Sequence, residues 1–225
     1  MNLFSKTIAV AALAGTSLAV PAAAQVSGNI GVVNAPATIA ASTAMSNAFQ
    51  QISTTYASQF TQIQQKQQQA QALLKQLDTN GDGNLDQAEQ QAAQNAPQAQ
   101  QIQTLEREVG QLTNQIDRAR VYAVEQILQQ YGASLQAVVA ADNLQIVLSP
   151  EAVAWSSQAA NINSKVVAQL NTRVPTVQIA PPQDWQPSQQ AVAVYQQVQQ
   201  ILMIASARQQ QSAAQQQAPA QTNGR

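Results

Sequence analysis

The sequence contains neither cysteine nor histidine in its 225 residues. Without cysteine, no disulfide can hold the fold together, although an oxidising compartment would permit one. The absence of both residues excludes Ser–His and Cys–His nucleophile pairs and histidine-ligated zinc.

Charged residues are also scarce, at 9% of the chain, while glutamine and alanine dominate. That composition favours long helices over a broad globular core. The acidic residues outside one short loop are scattered, which is typical of solvated helix faces; they are Glu106, Glu108, Asp117, Glu125, Asp142, Glu151 and Asp184. Because acid–base catalysis needs such groups to converge in a pocket, we expect no enzymatic activity. A basic stripe is also missing, so we expect no nucleic-acid partner.

Residues 1–24 have the pattern of a signal peptide. Lys6 gives a basic start, residues 7–20 are apolar but too short to span a bilayer, and residues 22–24 form a small-residue cleavage site. A buried N-terminal helix is the alternative interpretation. We expect export, a mature chain that starts near Gln25, and no transmembrane segment in that mature chain.

Residues 78–89 read D-T-N-G-D-G-N-L-D-Q-A-E and match the EF-hand calcium loop at each diagnostic position. Gly83 stands where the chain must turn sharply. The alternative is a polar turn, which explains Gly81 and Gly83 but not the acids at these spacings. The predicted calcium ligands are Asp78, Asn80, Asp82, Asn84 (through its carbonyl), Asp86 and Glu89.

Two features lower the calcium affinity that we expect. Each chain has one such loop, and residues 88–95 lack the large apolar side chains that an EF-hand normally packs. The predicted dissociation constant is therefore on the order of 10⁻⁴ M, as in extracellular calcium modules.

On both sides of this loop, apolar residues recur in steps of three and four. The spacing predicts one helix from Met45 to the loop and another from Pro97 to Gly132, where glycine would end it. Each arm of about 34 residues would extend about 50 Å. Equal arms around a tight loop predict an antiparallel hairpin over residues 45–131, with the loop at its tip.

Three aromatic residues lie in the first arm: Phe49, Tyr56 and Phe60. They could form a binding stripe for a partner. They could equally form the seam between the two arms, which heptad positions usually do.

Two short β-type runs flank the hairpin, one around Ile30 and Val32 and the other at Leu144–Leu148. Two strands alone are marginal, so more strands or other chains must complete them. We therefore predict a mostly α protein with a small β part, whose body comprises residues 25–44 and 132–174. Short helices are predicted in that body at residues 135–141 and 161–170, and a short turn or helix at residues 152–157.

From Pro175 the composition becomes rich in proline and glutamine. Residues 175–225 are predicted to form an extension with one helix at about 188–208. The glutamine- and alanine-rich residues 209–225 are predicted to be disordered.

In this order, the segments resemble the Skp/OmpH family of periplasmic chaperones. The resemblance covers residues 25 to about 172 and rests on the signal peptide, the uninterrupted glutamine-rich hairpin and three sequence segments. These are I-G-V-V-N at 30–34, V-V-A-A-D-N-L-Q-I-V-L-S-P-E-A-V-A-W at 138–155 and I-N-S-K-V-V-A-Q-L-N at 162–171. Three features depart from the family pattern, namely the calcium loop, the extension after Pro175 and the nearly neutral charge.

The resemblance implies a homotrimer in the periplasm, with strands from three chains in a β body and three hairpins around a cavity. It implies a holdase that keeps unfolded outer-membrane proteins soluble without ATP. The loop at residues 78–89, which departs from the family pattern, adds the expectation that calcium modulates this holdase. In that case Phe49, Tyr56 and Phe60 are candidate client-binding residues. The alternative function is a calcium-binding structural or envelope-interaction protein without chaperone activity.

Overall fold

The computed structural model describes residues 29–217. The predicted signal peptide, residues 1–24, therefore lies outside the described residues. The helices of the described part are α1 (Ala35–Ala40), α2 (Thr43–Thr55), α3 (Ala57–Leu77), α4 (Gln87–Ala93), α5 (Pro97–Ala141), α6 (Asn163–Arg173) and α7 (Gln189–Gln217). The strands are β1 (Asn29–Val32) and β2 (Leu144–Leu148), so the chain is mostly α with a small β part, as predicted.

The β part is a two-stranded parallel sheet. β2 coincides with the predicted run, and the whole hairpin forms the connection between the two strands. Ile30 pairs with Ile146, and these side chains remain 41% and 38% exposed. The sheet within residues 29–217 therefore presents apolar side chains to solvent.

The core of the body lies where five helices meet. Asn34 starts α1 by accepting a hydrogen bond from the Ala37 N–H at 2.8 Å, and its own N–H donates to the Asn163 side chain at 2.8 Å. Each fully buried aliphatic side chain contributes about 1.5–3 kcal/mol. Fully buried apolar side chains of this core include Ile39, Met45, Ile127, Val166, Leu170 and Val198, from α1, α2, α5, α6 and α7.

The predicted antiparallel hairpin is present. α2 and α3 run along α5, and a second apolar cluster joins them near the body; it consists of Ile52, Tyr56, Ile116 and Ala119. Closer to the tip, the Lys66 ammonium lies 2.6 Å from the Glu108 carboxylate, which bridges the two arms.

The distal part of the hairpin is packed much more thinly than its base. No residue of α3 is buried, and Ile102 is the one buried residue of α5 before Ile116. Between the arms, an open groove is lined by Leu73, Leu105 and several glutamines. Since long helices gain most of their stability from tertiary packing, this part of the hairpin is the least stabilised.

Two predicted helix boundaries in the hairpin are wrong. The first arm is interrupted at Tyr56, whose backbone leaves the helical region at φ −101° and ψ 17°. The second arm does not end at Gly132, because α5 continues to Ala141 over 45 residues, which corresponds to about 68 Å. A glycine inside a helix costs about 1 kcal/mol relative to alanine, and burial of Ser134 and Val138 against the body offsets that cost.

The C-terminal prediction is also partly wrong. Instead of ending near residue 208, α7 continues to Gln217. Residues 189–217 contain no proline or glycine, and glutamine and alanine are good helix formers. The predicted disorder is therefore wrong for residues 209–217. Residues 218–225 lie outside the described residues, so for them the disorder stays a prediction.

In the body, the predicted helix at 161–170 is confirmed as α6. Around residues 152–157, where a short turn or helix is predicted, the structure has two single 3₁₀ turns, at Pro150–Ala152 and Gln158–Ala160. Residues 174–188 contain no helix or strand and lie along α5, and we call them the C-terminal strap.

Candidate functional site

The tip loop is held in a tight turn by its first acidic residue. Gly81 and Gly83 have φ values of +74° and +84°, which favour glycine. The two carboxylate oxygens of Asp78 accept hydrogen bonds from the Gly81 N–H at 2.7 Å and the Gly83 N–H at 2.9 Å. The predicted sharp turn at Gly83 is therefore present, and Asp78 fixes it.

Three further predicted ligands, Asn80, Asp82 and Asp86, also accept hydrogen bonds from the loop backbone. The Asn80 side-chain oxygen accepts from the Asp82 N–H at 2.9 Å, and Asp82 accepts from the Asn84 N–H at 2.8 Å. Asp86 caps α4 by accepting from the Glu89 N–H at 2.9 Å. Each carboxylate oxygen retains a further lone pair for another partner.

Glu89 closes the loop onto itself. Its Oε1 accepts from the Thr79 N–H at 2.7 Å, the Thr79 hydroxyl at 2.8 Å and the Asn80 N–H at 3.0 Å. Its Oε2 accepts from the Asp86 N–H at 3.1 Å, and the residue is 7% exposed. The hydrogen bond from the Thr79 hydroxyl, followed by that from the Asp86 N–H, lowers the pKa of Glu89 from 4.5 to about 2. We call these four hydrogen bonds the Glu89 clasp.

The loop supplies the donors that calcium prefers, since all six predicted ligands offer oxygen. In the arrangement described here, however, Glu89 is engaged by N–H and O–H donors. Across residues 29–217, no three acidic side chains are grouped so as to hold a metal ion. The oxygen ligands of the loop are thus of the type that calcium prefers. In the conformation described here, however, the Glu89 clasp closes the loop.

The three aromatic residues of the first arm lie in the seam between the arms. Tyr56 is buried, while Phe49 and Phe60 are half-buried. The Arg120 guanidinium lies 5.8 Å from the centroids of both phenylalanine rings. Cation–π contacts of this kind help to hold the arms together. Client binding by these aromatics stays a prediction.

A second set of contacts was not predicted from the sequence: the C-terminal strap binds to α5. The Trp185 indole N–H donates to the Glu125 carboxylate at 2.7 Å, and its ring meets Tyr122 edge-on at 5.0 Å. The Tyr195 hydroxyl, at the start of α7, donates to Asp117 at 2.8 Å. A tryptophan within a Pro- and Gln-rich segment is the sequence signal that could have indicated this docking.

The sequence that forms the hairpin and most of the body matches a known family. The family model described as outer membrane protein (OmpH-like) matches residues 29–170, which is more than half of the chain. The chain belongs to the OmpH-like family. That match spans β1, the hairpin, β2 and most of α6, whereas the C-terminal strap and α7 lie beyond it.

A solved structure from Caulobacter crescentus CB15, described as an OmpH-like outer membrane chaperone, also aligns with this chain. The alignment has a TM-score of 0.46 and 19% identity, and it covers 82% of this chain and 100% of that chain. At this TM-score and identity the structural likeness does not support the family assignment, which rests on the match of the OmpH-like family model to residues 29–170. No curated protein matches the sequence significantly. Among residues 29–217, none of the helices combines the length and apolar character needed to cross a bilayer.

The Glu89 clasp makes the order of the tip loop depend on pH. Because the pKa of Glu89 is lowered from 4.5 to about 2, the clasp contributes fully above pH 4.5 and is lost as the pH falls towards 2. We expect the Thr79 and Asn80 amides to be protected from hydrogen exchange at neutral pH and to lose protection in that range. Glu89→Gln should remove most of this protection at pH 7, whereas Glu106→Gln, an exposed acid on α5, should not. Equal exchange in the two variants would contradict the clasp.

Proposed function

We propose that this OmpH-like protein is an ATP-independent periplasmic holdase that binds unfolded outer-membrane proteins and has no enzymatic activity. The observation that carries the proposal is α3, a helix of 21 residues with no buried residue, in a hairpin that the family match includes. Such a helix leaves most of its surface free for a partner. The name of the OmpH-like relative as an outer membrane chaperone supports the same function.

The chemistry of the distal arms suits an unfolded client. Their surface carries mostly glutamine, with isolated apolar side chains such as Leu74, which is 40% exposed. Glutamine amides both donate and accept hydrogen bonds, so they can pair with exposed backbone of any sequence. The thin packing near the tip allows the arms to adjust to clients of different sizes.

We further propose that the protein assembles as a homotrimer through its sheet. A two-stranded sheet is marginal by itself. The β1 edge is met at Val32 by the Ile162 N–H, whereas the outer edge of β2 leaves backbone N–H and C=O groups for another chain. Ile30 and Ile146 lie side by side in register and stay exposed in the single chain. Burial of these side chains between subunits would complete the body.

Calcium is proposed as a ligand of the tip loop, held by Asp78, Asn80, Asp82, Asn84, Asp86 and Glu89. To bind the ion through Glu89, the loop must give up the hydrogen bonds of the Glu89 clasp. That exchange favours weak affinity, on the order of 10⁻⁴ M, at the level of extracellular modules. The ion would neutralise part of the acidic charge at the tip and stiffen it.

The loop also supports a second candidate function, a calcium-dependent structural or envelope-interaction protein. Its four acidic residues are concentrated at the end of a long hairpin, where an ion could control contact with another surface. In this case the hairpin serves as a spacer and clients are not bound. The two candidates differ in whether the purified protein protects an unfolded protein.

The holdase function predicts that the mature protein suppresses aggregation of an unfolded outer-membrane β-barrel protein at near-stoichiometric amounts. Because the chain is nearly neutral, suppression should change little between low and physiological salt. Leu74→Gln should weaken suppression, whereas Met203→Gln, which alters an exposed apolar residue on α7, should not. Light scattering measures client aggregation at each salt concentration and with each variant, in millimolar calcium and in chelator. If no ratio of protein to client suppresses aggregation in either condition, the holdase function is excluded and the structural role is favoured.

Calcium binding is expected to appear as a weak, saturable signal in calorimetry and as shifts of the Thr79 and Asn80 amides in NMR. Asp82→Asn should weaken binding at least about tenfold, since affinity depends on the charge of the ligands. Glu106→Gln serves as the control for an acid outside the loop. An absence of heat and of amide shifts at millimolar calcium would contradict the calcium proposal.

The homotrimer is tested by sedimentation equilibrium. We expect a mass of three chains for the mature protein and a shift towards the monomer for Ile146→Asp, which would place a charge between the sheets of neighbouring subunits. Leu74→Asp adds the same charge on the distal arm and should leave the mass unchanged. A monomeric wild-type protein at micromolar concentration would overturn the proposed assembly.

A further inference from the structure

We propose that one face of α5, formed by Arg118, Tyr122, Glu125 and Gln126, is a docking site for extended segments of unfolded proteins. The C-terminal strap, residues 174–188, occupies this docking face in cis. The inference rests on the proposed holdase function and names a binding surface for its clients. The contacts that α5 makes with the strap support this inference.

The four side chains form one continuous face. Arg118, Tyr122 and Gln126 are spaced by four residues along α5, so they lie one above the other over about 12 Å, with Glu125 beside them. They come from the part of the chain that the family model matches, whereas the strap begins after that part ends at residue 170. A face within the family fold is therefore covered by a segment outside it.

The docking face binds the strap largely through its backbone. The Gln126 side-chain amide donates to the Gln178 carbonyl and accepts from the Gln178 N–H, both at 2.9 Å. The Arg118 guanidinium donates to the Trp185 carbonyl at 2.8 Å. Since every residue except proline offers the same backbone groups, these contacts would be available to many sequences. Affinity from main-chain hydrogen bonds is the usual basis for recognition of extended peptides.

One aromatic side chain anchors the strap. The Trp185 ring lies under the Arg118 guanidinium at 5.3 Å and against Tyr122, while its N–H is bound by Glu125. Tryptophans that combine burial with a satisfied N–H are frequent anchors of interfaces. The docking face thus suits an extended segment that carries an aromatic residue.

Residues 177–179 of the strap have the side-chain alternation of an extended chain. Val177 packs on the core of the body and Ile179 on the apolar cluster between the arms, while the intervening Gln178 is exposed. Strands of outer-membrane barrels alternate apolar and polar residues in the same way and carry aromatic residues at their ends. An unfolded outer-membrane protein therefore contains many segments that could replace the strap.

Tethering makes the strap a competitor for this face. A segment joined to its site by a short connection has an effective concentration on the order of millimolar. Single weak segments would be excluded, whereas a long client that also contacts the arms could displace the strap. The strap would thereby set a threshold for client binding.

The first test uses a fluorescent synthetic peptide of residues 174–188 added to the full mature protein. Trp185→Ala weakens the strap, so this variant should bind the peptide at least about tenfold more tightly than wild type. Trp155→Ala is the matched control, because Trp155 is 83% exposed, and it should behave as wild type. A peptide with alanine in place of the tryptophan should bind poorly to all three. Equal binding of the labelled peptide to wild type and Trp185→Ala, or no binding to either, would overturn the docking face.

A second test locks the strap in place with a covalent link. Because the chain has no cysteine, Gln126→Cys and Gln178→Cys can be joined selectively by a short bis-maleimide linker. The linked protein should bind less peptide and suppress client aggregation less than the same double variant without the linker. Equal binding and equal suppression in the two forms would contradict the proposed competition.

The two tests separate this inference from the holdase function. If Trp185→Ala binds the peptide but no form of the protein suppresses aggregation, the docking face is supported and the holdase function is excluded. If every form suppresses aggregation equally and the peptide binds to none, the holdase function is supported and the docking face is excluded.

Discussion

The structure depends on one apolar stripe along α5. Residues of this stripe recur in steps of three and four and are buried successively against the first arm, the body and the C-terminal helix; they include Ile116, Ala119, Ala123 and Ile127, and Ile102 and Val138 extend the stripe towards the two ends of the helix. No disulfide supplements this packing, since the chain has no cysteine. The extent of burial along α5 therefore decides which parts of the molecule are rigid and which can move.

Burial falls from the base of the hairpin to its tip. At the base, α5 contacts α2, α6 and α7, and Ile127 is completely buried. Between Ile116 and the tip, the arms share few apolar contacts. The tip is closed by the hydrogen bonds of Glu89 and Asp78 rather than by a core. This difference gives a closely packed body with thinly packed arms, which suits the holdase function proposed above.

The C-terminal strap adds a second level of control at the junction of these two regions. It binds where α5 passes from the body into the seam, and Ile179 reaches the apolar cluster of the seam. Contacts through backbone groups and a single tryptophan are specific enough to order the strap but can be exchanged for those of another extended chain. The family fold and the added segment thus meet on the same helix.

Periodicity and turn chemistry in the sequence by themselves determined the hairpin, strand β2, helix α6 and the sharp turn of the tip loop, because these depend on local spacing and on glycine. The tertiary structure decided the features that local rules misjudged. α5 continues through Gly132 because burial beyond it outweighs the cost of one glycine, and α7 extends to Gln217 where composition had indicated disorder. The tertiary structure also decided which residues form hydrogen bonds with Glu89 and Trp185. Those contacts join residues that are ten and sixty positions apart, and spacing along the chain does not encode such pairings.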